Sequence, residues 1–210
     1  EMLITRDRPM RQVTSILLTS TFLLMALLQP AVAKENTATA VLAGGCFWCI
    51  ESDFEKLDSV FEVVSGYIGG HVDEPTYQQV SAGNTGHIEA AIITYNPDKI
   101  SYAEILDYFW RHIDPTTDKG QFCDFGPQYR PAIFYQNEQQ HQQALKSIRN
   151  IEQTKPFKEP LKVELIAASQ FYPAEDYHQD YYKKNPVRYK FYRYSCGRDA
   201  RVEALWGQQH

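Results

Sequence analysis

Hydrophobic positions along this chain follow two periods, and the alternation between them lays out the elements before any chemistry is considered. The apolar run Thr39-Ala40-Val41-Leu42-Ala43 is cut off by Gly44-Gly45, which predicts a short strand ending in a sharp turn. From Cys46 to Leu57 the apolar residues Phe47, Ile50, Phe54 and Leu57 are spaced by three, four and three, as on an amphipathic helix with one buried face. Residues 60–70 are rich in β-branched and aromatic side chains and end in two glycines, a strand. The turn-rich stretch 71–86 carries a short helical piece around Tyr77–Ser81, and 87–95 reads as a strand stopped by Asn96-Pro97-Asp98. Ser101 with Glu104 three residues on is a capping box, opening a helix whose stripe is Tyr102, Ile105, Leu106, Phe109 and Ile113. Residues 114–130 lack any period and hold Pro115, Gly120, Gly126 and Pro127, which predicts a long loop of the kind that serves function in compact domains. Residues 132–135 form a short strand, Asn137 begins a long polar helix striped by Ala144, Leu145, Ile148 and Ile151, and 161–166 alternate as a half-exposed strand. Beyond them the chain reads as a long irregular C-terminal tail with one helical piece near 175–183. The mixed order and split β-α-β rhythm predict an α+β fold: a two-layer α/β sandwich with a mixed or antiparallel sheet and helices packed on it, a ferredoxin-like plait.

Residues 1–33 read differently. Arg11 precedes an apolar stretch over 16–28 and then Pro30-Ala31-Val32-Ala33, the small-x-small pattern of a signal-peptide cleavage site. Thr19, Ser20 and Thr21 interrupt the apolar stretch, which argues against a membrane-spanning anchor. Met10 is the natural start of such a leader, and the residues before it read as a start-site artefact. The expectation is an exported, periplasmic protein whose mature chain begins near Lys34, with no stable membrane anchor after cleavage. Residues 34–210 then form a single domain without internal repeats. A net charge of −5 lacks the basic stripe that nucleic acid requires, and a monomer is expected.

The candidate chemistry gathers at Gly44-Gly45-Cys46-Phe47-Trp48-Cys49-Ile50-Glu51, a thiol beside two aromatic rings at a strand-to-helix junction. In the first helical turn Cys46 meets unpaired N–H groups and the positive end of the helix dipole, which predicts a lowered thiol pKa and a reactive thiolate. A buried, inert cysteine is the plainer alternative. The four cysteines could form two structural disulfides or a working dithiol set, and the position of Cys46 favours the second.

Seven motifs then coincide in order and spacing with one family: GCFWCIE, SGYIGG, the tyrosine of PTYQQV, GHIEA, DPTT, GPQYR and AEDYHQ. Over essentially the whole mature chain the sequence resembles the A-type peptide-methionine sulfoxide reductases. The resemblance implies reduction of the S epimer of methionine sulfoxide, free or in proteins, without metal or organic cofactor, as repair of oxidised proteins. It implies Cys46 as attacking thiol, Phe47 and Trp48 as the wall for the sulfoxide methyl, and Glu89 as proton donor. Tyr77 and Tyr129 resemble the hydroxyls that hold the sulfoxide oxygen, Asp124 the acid near that pocket, and Cys196 of SCGR the resolving cysteine on a mobile segment. A sulfenic acid on Cys46 would condense to a disulfide that a thioredoxin-like reductant reopens.

The chemistry of Glu89 follows from its setting as well. Sulfoxide oxygen is a poor leaving group and needs a carboxylic acid whose pKa burial has raised, and Glu89 stands among Ile88, Ala90 and Ala91. Cys49 completes a C-x-x-C and could itself close on Cys46, whereas Cys123, just before Asp124, reads as a packed thiol. Three rivals are weighed: a thioredoxin-like oxidoreductase using only Cys46 and Cys49, a non-catalytic module gripping methionine through Phe47 and Trp48, and a zinc site. The zinc reading lacks a second ligand pair at the right spacing.

Overall fold

The computed structural model describes residues 36–207, so the expected leader lies outside the described residues. In order come β1 (Ala38–Ala43), α1 (Phe47–Phe54), β2 (Val60–Ile68), α2 (Tyr77–Ser81), β3 (Ile88–Tyr95) and α3 (Tyr102–Trp110). There follow β4 (Gly120–Gln121), β5 (Asp124–Phe125), a 3-10 turn at Pro127–Tyr129, β6 (Ala132–Tyr135) and α4 (Glu138–Thr154). The chain continues through β7 (Glu164–Ala167), β8 (Phe171–Pro173), α5 (Tyr181–Lys184), α6 (Pro186–Ser195) and α7 (Arg198–Trp206).

Six strands form one mixed sheet in the order β7-β6-β1-β3-β2-β8, antiparallel throughout except for the parallel β6–β7 pair. Alternate residues of the central strands serve different clusters. Ala40, Leu42, Ala91, Ile93 and Ile133 pack with Ile50 and Phe54 of α1, Ile105, Leu106 and Phe109 of α3, and Ala144 and Ile151 of α4. Val41, Ala43, Ile88, Ala90, Ala132 and Phe134 pack in a second cluster with Ile68 and Phe171. A strand buried on both faces carries no alternation, and β1 accordingly reads as a continuous apolar run. Each fully buried side chain such as Phe109 contributes about 1.5–3 kcal/mol of burial. Among the described residues no helix is long and apolar enough to cross a membrane.

The Ser101 box is present: its hydroxyl accepts from the Glu104 N–H while Glu104 accepts from the Ser101 N–H at 2.8 Å. Asn137 caps α4 in the same way, accepting from the Gln140 N–H. Two expectations need correction. The stretch 114–130 contains the β4–β5 hairpin and a 3-10 turn, joined by a Gly126 N–H bond to the Lys119 carbonyl. The C-terminal tail is helical rather than irregular: α6 and α7 follow α5 almost without a break. Pro186 begins α6, where its fixed φ suits a first turn. The residues that hold these helices are amphipathic or charged, so no apolar period marks them. Tyr189 is buried whereas Tyr194 is exposed, and the tail is tied down by Arg193 on Asp53 at 2.9 Å and by Arg198 on the Gly44 carbonyl at 2.7 Å.

Candidate active site

The turn from β1 into α1 depends on glycine. Gly45 has φ +83°, and a Cβ there would stand 2.5 Å from Gln121 Cβ, so a side chain is excluded by both backbone and space. Cys46 follows as the N-cap residue of α1, just before the first turn rather than within it. The Phe47 N–H, one of the helix's unpaired donors, is taken by Glu89 Oε2 at 3.1 Å.

Glu89 comes from β3, paired opposite Tyr67 of β2, and is 2% exposed. Burial pushes its carboxyl up to about 8 against the Phe47 N–H bond, and the neighbouring Asp124 and Cys49 push the same way. At neutral pH it therefore carries a proton it can donate.

Cys46, Phe47, Trp48, Tyr77, Glu89, Asp124, Tyr129 and Tyr192 line one cavity of about 80 Å³. The fold thus brings together seven expected site residues from α1, α2, β3, β5 and the 3-10 turn. Trp48 stacks on Tyr181 with ring centres 3.7 Å apart, and its Nε1–H donates to His178 Nδ1 at 3.1 Å. Tyr77 is held by its backbone N–H on Glu175 Oε1 at 2.8 Å, while Tyr67 donates to the other oxygen of Glu175. Burial, with Glu89 next, pushes Tyr77 to about 12 and Tyr129 higher still, so both phenols remain donors.

Three positioning residues escaped the sequence reading. His178 and Glu175 stand within the AEDYHQ motif, where a signal was present but no role was attached. Tyr192 donates to Asp124 Oδ2 from α6, and nothing marks it except its place one turn before Cys196 in a helix the sequence did not reveal.

The cysteines depart from expectation. Burial pushes the Cys46 thiol well above its ordinary value, reinforced by a hydrogen bond to Cys49, the charge on Cys49, and the carboxyls of Glu89 and Asp124. Cys49, beneath it, is drawn down to about 7, first by the bond from Cys46, against burial, and then by the guanidiniums of Arg198 and Arg193. The helix end therefore does not lower Cys46 as the isolated sequence suggested; burial above all opposes a thiolate there, and negative charge is better placed on Cys49. Cys123 is no packed thiol: it is exposed and joined to Cys196 in a disulfide, since β5 and the end of α6 meet at the cavity rim. Cys196 neither lines the cavity nor lies on an irregular segment; it is the C-cap residue of α6.

A second acidic cluster, Glu51, Glu55 and Asp180, offers ligand geometry for a cation. The Lys183 ammonium already sits there, paired with Glu55 at 2.6 Å and Asp180 at 2.7 Å.

Comparison with known proteins adds four findings. A family model described as peptide methionine sulfoxide reductase matches residues 38–210. The chain is 58% identical over 172 residues to a Vibrio cholerae protein named peptide methionine sulfoxide reductase MsrA/MsrB, covering 82% of this chain but only 46% of that longer protein. With a Bacillus licheniformis protein named peptide methionine sulfoxide reductase MsrA it shares 44% identity over 176 residues, 84% of this chain and 97% of the relative. Among solved structures, Mxr1 from Saccharomyces cerevisiae in reduced form is similar with a TM-score of 0.68 at 29% identity, over 74% of this chain and 91% of that one.

Proposed function

The chain belongs to the peptide methionine sulfoxide reductase family, and from that membership we propose that it reduces the S epimer of methionine sulfoxide, free or within proteins, at Cys46. The observation that carries this reading is a thiol and a buried, protonated carboxyl facing one small cavity walled by Phe47 and Trp48.

The steps follow from those groups. The sulfoxide methyl rests against Phe47 and Trp48, while its oxygen accepts from Glu89 and from the hydroxyls of Tyr77 and Tyr129. As Cys46 sulfur attacks the sulfoxide sulfur, charge grows on the oxygen and Glu89 protonates it. The Cys46 proton has a nearby acceptor in Cys49, whose anion the two guanidiniums favour. The sum is one thiol and one sulfoxide giving a sulfenic acid on Cys46 and a thioether. Asp124, its carboxyl raised by burial and bonded to Tyr192, faces the same space and orients the bound substrate. The sulfenic acid condenses with a neighbouring thiol, and an external thioredoxin-like dithiol reopens the disulfide.

A single-turnover assay on the reduced protein tests the reading. About one methionine per chain is expected from the S sulfoxide, none from the R epimer and none from Cys46→Ser. Equal use of both epimers, or methionine from Cys46→Ser, would overturn it.

The leader pattern supports export to the periplasm, with electrons arriving through a membrane-spanning thiol relay and an exported thioredoxin-like protein. Fractionation that finds the intact chain in the cytosol would refute that. The antiparallel order β6-β1-β3-β2, with α1 and α3 in its crossovers, supports a ferredoxin-like plait extended at its edges by β7 and β8.

A further inference from the structure

Three arginines fasten the carboxyl-terminal helices, and among the described residues one of them has no carboxylate in contact. Arg193 pairs with Asp53 and Asp199, and Arg201 with Asp114. Arg198, the first residue of α7, is 2% exposed; its guanidinium donates to the carbonyls of Gly44 at 2.7 Å and His112 at 2.9 Å and lies 4.3 Å from the centre of the Phe122 ring. All three partners are neutral. Burying a charge without an opposite one is costly, and carbonyl dipoles with a ring face offset only part of that cost.

This guanidinium stands against the turn that carries the thiols. Its Nη2 bonds the Gly44 carbonyl and is 3.3 Å from where a Gly45 Cβ would be, and Cys46 is the next residue. Cys49, 1% exposed and hydrogen-bonded to Cys46, is the anion whose charge weighs most on Arg198, ahead of Asp53, which Arg193 and Lys56 already neutralise. Resting on the sulfoxide-reductase reading, we infer that Arg198 is a positioning residue for the reaction: its otherwise unmatched guanidinium holds Cys49 as a thiolate, and that thiolate takes the proton of Cys46 as Cys46 attacks.

The step balances. As the bond from Cys46 sulfur to the sulfoxide sulfur forms, the Cys46 proton passes to Cys49 and the Glu89 proton passes to the sulfoxide oxygen. Transfer of that hydroxyl to Cys46 breaks the new bond, releasing the thioether and leaving the sulfenic acid. Cys49 then gives up its proton and Glu89 regains one, so both end as they began. The substrate sulfur has gained two electrons and Cys46 has lost two.

The other groups around Cys49 leave Arg198 as the deciding charge. Arg193 faces it from α6 but is matched by Asp53, which lies one turn further along α1 and opposes a thiolate. Glu89 of β3 is protonated at neutral pH, burial keeps the phenols of Tyr189 and Tyr192 on α6 neutral, and Tyr181 packs from α5.

The test follows Cys49 by carbon NMR in cysteine-labelled protein with Cys123–Cys196 kept as a disulfide, so that Cys46 and Cys49 are the thiols that titrate. The Cys49 signal, assigned with Cys49→Ser, should move with a midpoint of about 7 in the native chain. In Arg198→Met the midpoint should rise by about one pH unit or more, whereas in Arg198→Lys, which keeps the charge without the fork, it should stay within about half a unit of native. The acid limb of the single-turnover rate with N-acetylmethionine S-sulfoxide should shift by the same amount, roughly a tenfold loss on that limb per unit. A purely structural anchor would lower the rate at every pH and leave the midpoint in place. An unmoved midpoint in Arg198→Met, or equal shifts in Arg198→Met and Arg198→Lys, overturns the proposal. Where those variants do not fold, the native chain decides: the Arg198 guanidinium nitrogen shifts should titrate with Cys49 and cease to do so in Cys49→Ser, and shifts that stay flat from about pH 5 to 9 overturn the proposal equally. The titrations need no substrate, so absence of methionine from the native single turnover would refute the sulfoxide-reductase reading, and with it the proton transfer, while the midpoints still decide the Arg198–Cys49 pair.

Discussion

The start and the end of α1 each hold a carboxyl with almost no exposure, and the two are in opposite charge states. At the start Glu89 accepts one backbone N–H and faces Asp124 and Cys49, with no cation against it, and burial pushes it to about 8. At the end Asp53 is buried just as deeply; burial pushes it up too, but Arg193 and Lys56, each at 2.9 Å, together with Arg198 and His112, hold it below its ordinary value. Desolvation alone leaves a neutral acid, and a cation in contact converts the same burial into an ion pair. The first suits proton donation to an oxygen. The second suits anchoring α6, which brings Tyr192 and Cys196 to the cavity. Glu51, midway along the helix, has neutral donors only, the Ser65 hydroxyl and the Asp180 N–H, and stands at about 7.

The comparison can be broken most severely at Glu89. Glu89→Gln should lower kcat about 10²–10⁴-fold, the range for a lost general acid. In the native chain turnover should fall as pH rises through about 8, and in the variant that alkaline limb should vanish. Stability gives the sign independently. Because the folded pKa is raised from 4.5, the carboxyl's contribution is full below that value and is lost as pH rises to about 8. Glu89→Gln should therefore gain on the native chain across this window by on the order of 3–5 kcal/mol, at 1.36 kcal/mol per pKa unit. Parallel denaturation curves at both ends of the window would show Glu89 already ionised.

Asp53→Asn should do the reverse, costing about 3–5 kcal/mol in denaturant titration at neutral pH, because Arg193 loses its buried partner. The sign follows from the lowered pKa: the contribution is full above the ordinary 3.8 and is lost only as pH falls below it. A loss under about 1 kcal/mol would reduce this pair to the worth of a surface contact. Tyr129→Phe sharpens the active end without touching the anchor, lowering kcat by up to about 10²-fold while leaving KM and stability nearly unchanged. The smallest effect belongs to the intermediate case. Ser65→Ala removes one donor to Glu51, which should raise that carboxyl's titration midpoint, followed by carbon NMR, and cost about 1 kcal/mol. A midpoint that stays put would mean the hydroxyl contributes nothing to the ionised form.

Much of this was legible in the chain. The stripe Phe47, Ile50 and Phe54, the Ser101–Glu104 box, the Asn137 cap and the apolar neighbours of Glu89 are local signals, and each led to the right element or, for Glu89, to a carboxyl that is buried and raised. The seven motifs pointed to Cys46, Phe47, Trp48, Tyr77, Glu89, Asp124 and Tyr129, and those side chains share one cavity. Local pattern was silent where amphipathic tyrosines and charged anchors replace an apolar stripe, as in α6 and α7.

What the sequence settles by itself is the succession of the main strands and helices through α4, the hairpin and 3-10 turn within 114–130 excepted, the capped helix starts, and the family that the motifs identify, because backbone preference and periodicity act over a few residues. Only the tertiary structure decides which buried carboxyl keeps its proton, which cysteines pair, and that Cys46 is opposed rather than assisted in its ionisation. Those outcomes depend on partners far off in the chain, the Phe47 N–H and Glu89 42 residues apart and Cys123 and Cys196 73 apart. A charge in a dry interior responds to whatever stands within a few ångströms, whatever its place in the sequence.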